Sequence, residues 1–103
     1  MNHCYMLIAR CGGYDVPLGL YPTWQEAVTA AHAQTIYDLL AFIREMADQI
    51  YRVDLGDILN LDCMEFAGGI PQRPTTLRNL EDELANAEDE ANRADAEAKG
   101  KGR

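Results

Sequence analysis

The sequence predicts an α+β fold: a small β-β-α-β sheet with one long helix packed on it, followed by a C-terminal acidic helix. Three observations carry this. Residues 3 to 11 are apolar with period-two alternation, as a strand requires. Apolar positions from Trp24 to Ile50 recur at helical spacing. After Pro74 the composition changes to Ala, Glu, Asp and Asn, with leucines and alanines in a heptad.

In the first strand Tyr5, Leu7 and Ala9 take one face, and Cys4, Met6 and Ile8 the other. Both faces are apolar, which predicts an interior strand covered on both sides. Gly12-Gly13 offers a turn. A second short strand fits Val16 to Tyr21; Pro17 cannot donate to a ladder, so that strand belongs at a sheet edge.

Thr23-Trp24-Gln25-Glu26 has the spacing of a capping box, in which Thr23 accepts from the Glu26 amide. The helix that follows runs to Arg52, roughly 45 Å at about 1.5 Å per residue. That is long for so small a domain, and a bend near Gln34-Thr35, giving two helices, is the alternative. Asp54-Leu55-Gly56-Asp57 reads as a turn and residues 58–67 as a third strand. In it Leu59, Leu61 and Cys63 share one face, and Ile58, Met64 and Phe66 share the other with Asn60 and Asp62. Gly68-Gly69 with Pro71 and Pro74 reads as a stiff linker. The organisation expected is a compact domain over 1–70, a linker over 71–76, an acidic amphipathic helix over 77–99 and a basic tail over 100–103.

The heptad starts at Leu77 as position a and continues through Leu80, Leu84, Ala87, Ala91, Ala94 and Ala98 without error. Thr75 or Thr76 is the candidate cap. The e positions are Glu81, Glu88 and Asp95; the g positions are Glu83, Glu90 and Glu97. Every flank is acidic. Two identical helices would set acid against acid in either orientation, which opposes simple self-pairing. The stripe also tapers from Leu to Ala, so burial weakens toward its end. Leu77, Leu80 and Leu84 are therefore the docking end, and Glu81, Glu83, Glu88, Glu90, Asp95 and Glu97 the candidate partner-binding acids. A solvated surface helix is the plain alternative.

Charge sets the partner class. Seventeen acids against nine bases leave the 103-residue chain at −8. That disfavours direct contact with nucleic acid or an anionic membrane, since phosphates are met by Lys and Arg. It favours a basic protein surface, including that of a nucleic-acid-binding protein. No stretch is long and apolar enough to span a bilayer and the start lacks a basic leader, so a cytoplasmic setting is expected.

No catalytic or cofactor motif stands out. His3, Cys4, Cys11, His32 and Cys63 are the candidate metal ligands, but none falls in Cys-x-x-Cys or His-x₃-His spacing. Neither metal nor cofactor is expected, and the three cysteines read as small apolar residues. Asp54, Asp57, Asn60 and Asp62 do not follow the calcium-loop pattern.

In kind, as a small acidic domain without a catalytic motif, the chain resembles phage-encoded inhibitors such as anti-CRISPR proteins and DNA mimics, and also toxin-neutralising immunity proteins. The resemblance covers composition only. It implies a non-enzymatic inhibitor whose acids compete with phosphate for the Lys and Arg of a basic partner. A different class, a self-assembling module with Leu77, Leu80 and Leu84 as its seam, is the second expectation.

Overall fold

A computed structural model describes residues 3–52 and 56–101, with the side chains of the last helix described through Ala94. The mixed α+β character expected from the sequence is present. The elements run β1 (His3–Cys11), β2 (Asp15–Tyr21), α1 (Trp24–Ala31), α2 (Ile36–Ile50), β3 (Ile58–Ala67), β4 (Ile70–Pro71), β5 (Thr75–Asn79) and α3 (Leu80–Lys101). The five strands form one sheet in the order β2-β1-β3-β4, and β5 pairs with β3 further along. The described pairings are all antiparallel. β2 with its Pro17 lies at the edge, where a missing donor costs no ladder bond.

The long helical run is two helices. Thr23 caps α1, accepting from the Glu26 amide at 3.2 Å. His32 closes α1, and Thr35 starts α2 by accepting from the Asp38 amide at 3.3 Å. Thr35 caps instead of continuing because its hydroxyl satisfies an amide that the preceding turn cannot. The break lets both helices lie on one face of a short sheet. Trp24 meets Tyr5 edge-on, with ring centroids 6.0 Å apart, which pins the start of α1 to β1. Tyr51, beyond α2, stacks on Tyr14 at 4.8 Å and donates to the Asp15 carbonyl at 2.6 Å.

Half of the expected linker over 71–76 is sheet: Pro71 ends β4, and Thr75 and Thr76 begin β5. Gly68 and Gly69 have φ of 61° and 83°, and they close a two-residue hairpin in which Ala67 pairs with Ile70. Only glycine takes two successive left-handed residues without strain, and that geometry matches the strand twist. Thr75 to Asn79 then return as β5 on the free side of β3. β-branched Thr75 and Thr76 suit a strand better than a first helical turn. The last helix accordingly begins at Leu80 and not at Leu77, and its cap is Asn79, which accepts from the Asp82 amide at 3.0 Å. Thr76 instead donates to Asp62 at 2.8 Å.

One core lies between sheet and helices. Leu7, Ala9, Cys11, Val16, Leu61 and Cys63 meet Ala27, Ala31, Leu39, Leu40, Ile43, Ala47 and Leu80 there. A bulge opposite Arg10 and Cys11 turns Ile58 into this core, where strict alternation had placed it on the other face. The expectation that β1 is covered on both sides fails. β1 is interior within the sheet, but its described helix partners all lie on the Leu7–Ala9 side. The thinnest dimension of the molecule, 18 Å, is that of two layers. No described helix is long and apolar enough to cross a membrane.

Candidate functional site

α3 divides where its apolar stripe runs out. Leu80 is fully buried in the core, and Leu77 (on β5) and Leu84 pack partly buried against it. These three leucines face their own domain, so they do not form a free seam for a second copy. Ala87 is half-buried, and residues 88–94 are exposed. Over residues 88–94 the helix has left the body. The Cα radius of gyration is 16.7 Å, against about 13 Å for a compact chain of this length. The longest dimension reaches 65 Å, about twice the next at 31 Å.

The root of the helix is held by a residue that periodicity did not single out. Arg78, only 9% exposed, sits on β5 beneath the end of α1. It donates to the carbonyl of Ala31 at 3.0 Å, left without a helical partner at the end of α1, and to that of Gln34 at 2.8 Å in the connection before α2. Its other nitrogens donate to Glu83, at 2.9 Å from Nε and 2.6 Å from Nη2, in a forked carboxylate pair. The Arg78 hydrogen bond holds the Glu83 carboxyl below its ordinary range, against the opposing effect of burial. Glu83, expected among the partner-binding acids, is thus already paired within the chain, at a partly exposed position. The only sequence signal was a lone arginine five residues before a glutamate.

The remaining acids fall into a consistent arrangement. Glu81, Asp82, Glu88, Asp89 and Glu90 are exposed along α3. Asp89 is paired with Arg93 at 2.9 Å, one turn on. Glu81 and Glu88 flank one side of the stripe and Glu90 the other, seven- and nine-residue offsets on a 3.6-residue turn. Acids in the first turn, Glu81, Asp82 and Glu83, also complement the helix dipole. Asp95 and Glu97 lie beyond the described side chains, and Asp54 lies outside the described residues. On α2, Asp38, Glu45 and Asp48 are exposed and add negative surface.

The other candidates resolve into structure. His3 bonds Glu65 at 2.9 Å on the surface. Cys11 and Cys63 are buried in the core, and burial pushes both thiols up. Among the described residues, no three of His, Cys, Asp and Glu gather as a metal site. An apolar cleft of about 250 Å³ remains between α1, α2 and the sheet, lined by Leu7, Leu18, Tyr21, Leu39, Phe42 and Leu61 among others.

No family model, curated protein or solved structure matches this chain.

Proposed function

We propose that this protein is a binding protein, not an enzyme, that presents α3 as an acidic arm to a basic, nucleic-acid-binding partner and blocks its nucleic-acid site. One observation carries the reading: past Ala87 the helix stands clear of the body, and its described charges are carboxylates apart from Arg93, which Asp89 already holds. The root is rigid, because Leu80 and the Arg78–Glu83 pair fix where the arm leaves the sheet. A pre-positioned row of charge binds with less ordering cost than a flexible acidic tail.

Glu81, Glu88 and Glu90 are the residues on which the contact rests; Asp95 and Glu97, read from the sequence as further partner-binding acids, lie beyond the described side chains. Carboxylates so placed compete with phosphates for Lys and Arg, and the attraction weakens as salt rises. The test is charge reversal of Glu81, Glu88 and Glu90 to Lys, with Glu83→Gln as an internal control. The reversed protein is expected to lose a basic partner that the wild type retains at low salt, while the control keeps it. Equal retention by the reversed protein removes the arm as the contact.

A further inference from the structure

The sheet has a second face, and it is not the face of a solvated sheet. An antiparallel sheet with one side in water alternates apolar and polar residues. Here β1 places Cys4, Met6 and Ile8 on the side away from the helices. The register sets Leu20 and Met64 beside Met6, Phe66 beside Cys4, and Pro71 beside Phe66. Ile8 is buried, yet outside the helix-facing core. Leu20 is 66% exposed. Among the described residues, no helix contributes to this side.

We propose that this apolar sheet face, half-buried at Cys4, Met6, Met64 and Phe66 and exposed at Leu20, is a dimer interface that takes a second copy of the chain, sheet against sheet. Charge argues for that occupant. The only ionic groups that the register places here, Arg10, Asp15 and Asp62, answer one another: Arg10 lies 3.0 Å from Asp15 and 3.7 Å from Asp62, and Thr76 donates to Asp62. The face thus holds about −1 of a total of −8 and offers nothing to read a strongly charged partner. Depletion of net charge around a set of apolar side chains is the composition of an interface centre. A face of this kind is complementary to itself, as a two-fold contact requires.

Area and distance agree. Seven residues of strand by four strand positions cover about 450 Å², so a pair hides roughly 900 Å², above the ~800 Å² of incidental contacts and short of the ~1,000 Å² of a stable one, the size of a weak, transient dimer. Repulsion does not stand in the way. The acidic helices sit on the far layers, about 30 Å apart with sheets packed ~10 Å face to face, against a Debye length of ~8 Å. The leucine seam is not needed, because its residues point inward. Such a dimer would display two α3 arms, but the inference stands whether or not those arms meet the partner proposed above.

Sedimentation of the wild type and of Leu20→Glu and Met64→Glu decides it. The wild type is expected to sediment as two chains, and each variant as one at the same concentration with an unchanged circular dichroism spectrum, the dissociation constant rising at least about tenfold. Leu20→Glu suffices if Met64→Glu fails to fold, since Leu20 is already exposed. In parallel, iodoacetamide labelling of Cys4 is expected to slow as wild-type concentration rises and to be independent of concentration in Leu20→Glu. A wild type that stays monomeric up to about 1 mM, or a dimer that both variants leave intact, overturns the proposal.

Discussion

Arg78→Ala is the substitution whose cost the structure defines most sharply. The side chain is 8% exposed and makes four hydrogen bonds, two to carbonyls and two to Glu83. Its loss orphans the Ala31 and Gln34 carbonyls and leaves the Glu83 carboxylate without its partner. Removing one member of a buried charged pair costs about 3–5 kcal/mol. The partner is better hydrated: the Glu83 side chain is 37% exposed. The low end is therefore appropriate, about 3 kcal/mol, or a fall in Tm on the order of 12–24 °C for a domain of this size. The reverse substitution is asymmetric. Glu83→Ala leaves Arg78 with both carbonyls and with access to water past a half-open rim, and is expected to cost about 1 kcal/mol. Urea unfolding of both single variants and the double variant measures the two costs and their coupling. The reasoning is refuted if Arg78→Ala costs under about 1 kcal/mol, or if Glu83→Ala costs as much as Arg78→Ala.

Four further outcomes follow from the same geometry. Leu80→Ala is expected to cost about 2–5 kcal/mol in urea unfolding and Leu84→Ala clearly less, since only Leu80 is fully buried. A chain ending at Ala87 is expected to unfold within about 1 kcal/mol of the full chain, because residues 88–94 touch little of the body. Glu83 is held below its ordinary carboxyl range chiefly by the Arg78 hydrogen bond. Its contribution is therefore complete above the unfolded value and lost as pH falls through the lowered folded value, so Glu83→Gln flattens that part of the acid limb. With iodoacetamide under native conditions, Cys4 is expected to react first, while Cys11 and Cys63 stay protected by burial and raised thiol values until the domain opens.

What could be read before the structure was local. Period-two apolarity gave β1, Pro17 placed β2 at an edge, and the Thr23–Glu26 spacing marked the start of α1. The break at Thr35 was visible only as an alternative, because a threonine inside an apolar period caps or continues according to tertiary space. Residues 75–79 were misassigned because Leu77 and Leu80 match a helical spacing of three, while the free side of β3 that recruits them is a non-local fact. The same holds for Ile58, whose face was reversed by a bulge. For the candidate site, the exposed acids on α3 were legible as a pattern. The pairing of Glu83 within the chain was not, since it depends on Arg78 reaching carbonyls 44 and 47 residues away. Both faces of β1 are apolar, as read, but cover by helices on both sides did not follow, because the described helices pack only on the Leu7–Ala9 side.

The central claim is that the arm competes with nucleic acid for a basic partner. The most direct measurement is fluorescence anisotropy of labelled nucleic acid on the basic protein that the wild type captures from cell extract. Added wild-type chain is expected to release the nucleic acid, with a midpoint that shifts to higher concentration as salt rises; the chain ending at Ala87 and the Glu81, Glu88 and Glu90 to Lys variant are expected to release none. Release by the shortened chain at the same concentration, or a complex that holds protein and nucleic acid together, contradicts the account.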